Sequence, residues 1–161
     1  MKRQLLAVLA LTALVTASSS AFASGGYGMT WGKSEHNSAN GTDHVGCMGC
    51  NPYMGDTACT SYLPILCHKT DGSPVPPGLT PDFYNGWKQG HIGLTLPVLG
   101  SQLSTPAAAD RLCRHYFGPG WKIAEFHHSG GGWNWWAYGN VKTDQRFWVN
   151  INDQPGNCWD P

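Results

Sequence analysis

The stretch Gly55-Asp-Thr-Ala-Cys59-Thr-Ser-Tyr-Leu63-Pro-Ile-Leu66-Cys67-His-Lys69 decides how this chain is read. It runs from an acidic turn at Asp56 to Cys59, then through a short apolar strand, Leu63 to Leu66, that ends on Cys67. A strand with a cysteine at each end can be pinned from two sides, and the chain holds six cysteines.

Those six are Cys47, Cys50, Cys59, Cys67, Cys113 and Cys158, and their meaning depends on the compartment. Met1-Lys2-Arg3 is a basic start, Leu5 to Val15 is an apolar run too short to span a bilayer, and Ala21-Phe22-Ala23 is a small-residue cleavage site. Residues 1–23 therefore read as a signal peptide, and the expected location is secreted or periplasmic, with no membrane span in the mature chain. An even cysteine count behind such a leader reads as three disulfides, for which fifteen connectivities exist. A zinc site from Cys47-x2-Cys50 with Cys59 and Cys67 is the rival, favoured only for a cytosolic protein.

Removing 23 of the 161 residues leaves 138, enough for one domain with a modest core. Lys2 and Arg3 leave with the leader, so eight basic residues face ten acidic ones. No run of Lys or Arg exists, which argues against a nucleic-acid partner. Only 12% of the chain is charged while Trp numbers eight, a composition that suits a loop-rich exported domain.

Residues 24–46 are rich in Gly, Ser and Asn without periodicity, and read as a flexible N-terminal loop region. The Pro-rich segment 71–81 reads as a linker or long turn, and Asn85-Gly86-Trp87 as another turn. His91 to Val98 has aliphatic residues at alternate positions 92, 94 and 96, as in a strand. One helix is expected at 106–117: Ser104 or Thr105 caps it, Pro106 fits the first position, and Gly118 stops it. Ala108, Leu112, Cys113 and Tyr116 share one face of it. Trp121 to Phe126 and Phe147 to Asn152 alternate like strands, and Gly130-Gly131-Gly132 breaks the chain between them. The whole is expected to be a small, disulfide-rich α+β domain over 47–161, one main helix packed on short antiparallel strands with long loops.

The pattern from Asp56 to Lys69, D-x-x-C then L-P-x-x-C-x-K, resembles the last strand of C-type-lectin-like domains. The segment His91 to Ile151 is similar to the opening half of the same family. It offers a strand, a cysteine-bearing helix at Ala107-Ala-Ala-Asp-Arg-Leu-Cys113, a strand at Gly120-Trp-Lys-Ile-Ala-Glu125, and Trp148-Val-Asn-Ile151 for the family's W-I-G-L strand. The closing half thus lies upstream of the opening half, so the resemblance implies a circularly permuted domain. Segment 71–81 would then join the family's last and first strands, a cheap rearrangement when natural termini lie close together. The resemblance also implies disulfides Cys67–Cys113, Cys50–Cys59 and Cys47–Cys158, with Cys47 the alternative partner of Cys59. Cys113–Cys158 is the pairing expected from chain order alone.

Sugar-binding members of that family hold calcium on carboxylates and amides. The resemblance maps this set onto Glu35, Asn37, Asp43 and Asp56, with His36 where the family has proline and Met54-Gly55 where it has Trp-Asn. Trp133, Trp135, Trp136 and Tyr138 follow the glycine break and are the candidate ligand-binding aromatics, since flat exposed rings stack on sugars or anchor interfaces. The bland alternative places Trp135 and Tyr138 in the core. The expected function is recognition of a glycan or an extracellular protein. The alternatives are a small secreted or periplasmic hydrolase using Glu125, His127 and His128, and a protein-binding inhibitor. No H-E-x-x-H or G-x-S-x-G motif supports the enzyme reading.

Overall fold

The computed structural model describes residues 26–128, 132–142 and 144–160. The leader expected at 1–23, and Gly130-Gly131, lie outside them. Eleven strands and one helix follow in order. They are β1 (Tyr27–Gly28), β2 (Thr30–Asn37), β3 (Thr42–Gly46), β4 (Thr57–Ala58), β5 (Tyr62–Leu63), β6 (Leu66–Thr70), β7 (Asn85–Leu94), β8 (Val98–Leu99), α1 (Pro106–Phe117), β9 (Lys122–Ile123), β10 (Asn134–Tyr138) and β11 (Phe147–Trp148). The class is small α+β and disulfide-rich. The strands are not all short or antiparallel, however: β7 runs ten residues and pairs parallel with β10.

Seven strands form one curled sheet in the order β11-β2-β3-β10-β7-β6-β9. Its two edges meet through backbone hydrogen bonds. Ala124 N donates to Leu66 O at 2.7 Å, Asn150 N to Ala124 O at 2.8 Å, and Phe126 N to Asn150 O at 2.9 Å. Inside the curl lie Trp31, Val45, Leu66, Phe126, Trp135, Phe147 and Val149. The Trp31 ring packs 5.6 Å from Trp135 and 5.7 Å from Phe126. Strands β6 and β7, which flank the irregular segment 71–81, pair antiparallel from Leu66↔Leu94 to Thr70↔Gly90.

The N-terminal region is a correction to the sequence reading. Far from a flexible loop, residues 30–46 form the β2–β3 hairpin within the sheet. Its polarity hid this, because two of its charges are buried against each other. Lys33 Nζ donates to Asp43 Oδ1 at 3.2 Å, with side chains 4% and 0% exposed. His36 Nδ1 lies 2.7 Å from the same oxygen, and Val141 N donates to Asp43 Oδ2 at 2.6 Å. A bulge between Lys33 and Glu35 breaks the alternation that would otherwise announce a strand. The domain thus begins well before residue 47.

Smaller differences share that cause, side chains spent on local hydrogen bonds. The expected turn at Asn85-Gly86-Trp87 is the start of β7, because Asp82 Oδ1 already accepts from Tyr84 N and Asn85 N and makes the turn earlier. The strand expected to reach Val98 ends at Leu94, and Leu96 is exposed. The Thr95 hydroxyl oxygen instead accepts from Ile65 N at 2.9 Å.

The helix lies where it was expected. Thr105 Oγ1 accepts from Ala108 N at 3.1 Å, Pro106 opens the helix, and Gly118 closes it at φ +93°. Its buried face, Ala108, Ala109 and Cys113, covers β9 and β6 over a second apolar cluster of Ile65, Leu103, Ile123 and Trp148. Three disulfides tie these layers: Cys67–Cys113, Cys59–Cys158 and Cys47–Cys50. The first is the bridge implied by the lectin-like resemblance. Cys50–Cys59 and Cys47–Cys158 do not form, and neither does Cys113–Cys158. Cys47 and Cys50 lie in one tight turn, where Cys50 N donates to Cys47 O at 3.0 Å. This brings their Cα atoms to 4.8 Å, so Cys59 is left to bind the C-terminal segment at Cys158. With every cysteine oxidised, no thiolate remains for the rival zinc site. Among the described residues no helix is long and apolar enough to cross a membrane.

The sequence separations rank the three bridges. Separations of 99, 46 and 3 residues correspond to about 4.7, 4 and 1.6 kcal/mol of chain-closure entropy. Replacing Cys59 and Cys158 together by alanine should therefore lower the urea-unfolding free energy by roughly 3 kcal/mol more than replacing Cys47 and Cys50. Equal losses would show that closure of the long loop is not what the bridge contributes.

Candidate functional site: a polar cleft above a buried lysine

Strand β6 continues past Cys67, and its pleat places Leu66, His68 and Thr70 on one face. Where β6 meets β9 and the first turns of α1, this face opens into a cleft of about 470 Å³. Its walls are His68 and Thr70 from β6, Pro106 and Asp110 from α1, and Gly120, Lys122 and Ile123 around β9. Glu125, His128, Asn150 and Asn152 complete it from the segments that close the sheet. The isolated bridge between Glu125 and Asn150 sets those two side by side.

Beneath the cleft lies Lys88, on β7 and only 1% exposed. It faces inward on the alternation of β7, in which Lys88, Gly90 and Ile92 are buried while Gln89 and His91 are exposed. Gln89 adopts φ +58°, and its carbonyl accepts from both Asp71 N and Gly72 N at 3.0 Å. Gly90 makes the close passage possible, since a Cβ there would lie 1.9 Å from Lys69 O. The Lys88 Nζ donates to Thr70 Oγ1 at 3.0 Å and sits 5.8 Å from the Trp135 ring centroid. Burial pushes its pKa down to about 6, and the negative Glu125 offsets this only in part.

Two histidines pack against each other at the cleft wall, His68 and His128, with ring centroids 4.4 Å apart and planes tilted by 55°. His68 is 5% exposed and pushed down to about 3, first by burial and then by the charges of Lys88 and Lys122. Its Nδ1 has no hydrogen-bond partner among the described residues, and neither does Asn150 Oδ1. His128 Nε2 lies 3.1 Å from Thr70 Oγ1, so that hydroxyl touches both a lysine and an imidazole. On the facing wall Asn150 Nδ2 donates to Asn152 Oδ1 at 2.7 Å.

The three residues that suggested a hydrolase are divided between two cavities. Glu125 and His128 line the cleft, whereas His127 points into a neighbouring cavity of about 150 Å³ with Tyr53, Trp133 and Asp153. Glu125 binds His127 through both oxygens, accepting from the backbone N at 2.8 Å and lying 3.2 Å from Nδ1. The four candidate aromatics also separate. Trp135 is 0% exposed, packed in the core between Trp31 and Lys88, and cannot touch a ligand. Trp136 and Tyr138 are half-buried on the outer face of the sheet, against His44 and Trp87. Trp133 alone of the four is exposed, at 40%.

The residues assigned to calcium are not brought together. Glu35 and Asn37 sit on β2, a strand rather than a loop. Asp43 is fully buried and spent on Lys33, His36 and Val141. Asp56 accepts from Thr30, Thr57 and Asn51 N and lies 3.8 Å from Arg146. Among the described residues no three His, Cys, Asp or Glu side chains are grouped to hold a metal ion.

His68, Thr70 and Asn150 were readable in principle from the alternation of β6 and of residues 147–152. Lys88 shares the inward parity of Ile92 and Leu94, but the strand read from the sequence begins at His91 and stops short of it. The chain matches no protein-family profile, no curated protein and no solved structure.

The buried bases make stability rise with pH. Both are neutral in the folded protein at pH values where the unfolded chain still binds the proton. His68 contributes this rise between about pH 3 and 6.5, and Lys88 between about pH 6 and 10.5. Lys88→Met should flatten the increase measured by urea unfolding from pH 7 to 9, whose slope from one proton reaches at most about 1.4 kcal/mol per pH unit. An unchanged slope in the variant would mean that Lys88 is protonated in the folded state.

Proposed function

We propose that the protein is exported and recognises a neutral, hydroxyl-rich ligand, foremost a glycan, in the cleft between β6, β9 and the start of α1. The observation that carries this reading is the chemistry of the lining. Most of its side chains form hydrogen bonds, and acidic Asp110 and Glu125 face basic Lys122, so no single charge dominates. A sugar hydroxyl both donates and accepts, and matches amides and carboxylates set beside each other better than an ion or an apolar ligand does. The unpartnered Asn150 Oδ1 in the wall is a further hydrogen-bonding group for such a ligand or its bound water.

Exposed Tyr53 and Trp133 border the adjoining cavity, joined to the cleft through the Glu125–His127 contact. They offer flat rings for a second sugar unit. Export is supported by the leader read at 1–23 and by three disulfides. The permuted lectin-like architecture belongs to the same proposal. It rests on the Cys67–Cys113 bridge and on the pairing of β6 with β7 across the Pro-rich segment.

Screening the mature protein on a glycan array and titrating the retained oligosaccharide calorimetrically tests the reading. Asn152→Ala and Glu125→Gln should each weaken binding about tenfold, the effect of one lost hydrogen bond with its partner left unpaired. Trp136→Ala, on the opposite face, and added chelator should leave the affinity as it was. Retention of no glycan, or equal affinity in all three variants, would sink the proposal.

A further inference from the structure

We propose that the Thr70 hydroxyl is a nucleophile and that the cleft carries out acyl transfer from short-chain esters, with His128 as its base. Thr70 stands at the end of β6, exposed on the cleft, with its Oγ1 held from two sides. Lys88 Nζ donates from below at 3.0 Å, and His128 Nε2 lies at 3.1 Å. A hydroxyl has one proton to give. With the Lys88 N–H directed at the oxygen and His128 in its Nδ1–H tautomer, that proton is directed at Nε2, which is the arrangement a hydroxyl nucleophile needs. The His128 ring packs against the buried His68 ring, tilted by 55° with centroids 4.4 Å apart. Burial fixes the position of Lys88 and favours its neutral form at pH 7, so it supports the hydroxyl without imposing a full charge.

The chemistry balances without a cofactor. Thr70 Oγ1 forms a bond to the ester carbonyl carbon while its proton passes to His128 Nε2. The ester C–O bond breaks, and the departing alcohol takes that proton. Water, giving a proton to His128, then attacks the acyl-threonine and releases the carboxylic acid, restoring the hydroxyl. The net reaction is ester plus water to acid plus alcohol. The acyl group must be short, acetyl rather than a fatty chain, because Ile123 and Pro106 are the main apolar side chains of the lining. That the alcohol half is a sugar rests on the glycan reading of the cleft; the nucleophile itself does not.

The test uses the mature, oxidised protein with p-nitrophenyl acetate, p-nitrophenyl octanoate and an alkyl fluorophosphonate. We expect acetate to be cleaved in preference to octanoate, and the phosphonate to add to the peptide carrying Thr70. Thr70→Val should lose the label and about a hundredfold or more of the turnover, Thr70→Ser should keep both, and His128→Gln should lose turnover. Trp136→Ala should match the unmodified chain. Non-reducing peptide mapping of Thr70→Val, showing the same three disulfides, separates loss of the nucleophile from loss of the fold. No release above the buffer rate, or undiminished turnover in Thr70→Val, overturns the proposal. An O-acetylated oligosaccharide left intact by protein that cleaves p-nitrophenyl acetate overturns the sugar-ester substrate while leaving Thr70 as nucleophile.

Discussion

The closure of the sheet on itself is the constraint from which the rest follows. Residues 124–126 and 149–150 lie beyond the ends of β9 and β11, yet their backbone groups pair with Leu66 and with each other. An open seven-stranded sheet would leave two edges of unpaired N–H and C=O groups and expose both tryptophans of its inner face. Closing it encloses Trp31 and Trp135 completely. The same hydrogen bonds bring Glu125 and Asn150, 25 residues apart in sequence, onto one wall beside His68 and Thr70. Fold and site are therefore two results of one set of backbone contacts.

Disulfides and helix reinforce this closure from outside. Cys67–Cys113 fastens α1 over β6 next to the seam, and Cys59–Cys158 ties the last described residues to the segment before β5. Trp148 packs beneath them, so close to Gly28 and Gly100 that a Cβ at either glycine would lie 3.0 Å or less from its ring. On chain-closure entropy the two bridges add about 4 and 4.7 kcal/mol to what the two apolar clusters supply.

How much of this was legible in the sequence follows from which signals were local. The helix was readable to its ends, because Thr105, Pro106 and Gly118 act within one turn of themselves. The irregular segment 71–81 was readable because proline cannot join a ladder. The β2–β3 hairpin was not. Its inward Lys33 and Asp43 are polar in composition and become core only through each other and through Val141, 98 residues away from Asp43. Trp135 was misjudged for the converse reason. Trp133, Trp135, Trp136 and Tyr138 read as one cluster, but a strand sends alternate rings to opposite sides, and the buried side of β10 belongs to Trp135 and Ala137. Lys88 lies on the inward parity of Ile92 and Leu94, but Asn85-Gly86-Trp87 reads as a turn and hides the start of β7.

The buried polar groups separate into two kinds, and the difference distinguishes structural from functional chemistry. Asp43 meets Lys33, His36 and the Val141 N–H, so its charge is compensated on every side and its place in the core is explained by the fold. Lys88, His68 and Asn150 are different. Lys88 has one hydroxyl, His68 Nδ1 and Asn150 Oδ1 have no partner among the described residues, and burial lowers the pKa of both bases. Leaving such groups under-satisfied costs stability that a methionine or leucine at the same positions would not. All three gather at or beneath one cleft, and next to them the Thr70 hydroxyl lies against two nitrogens. Trp31 Nε1, Trp135 Nε1 and His44 Nε2 also lack partners among the described residues; what sets His68 and Asn150 apart is that they line the cleft.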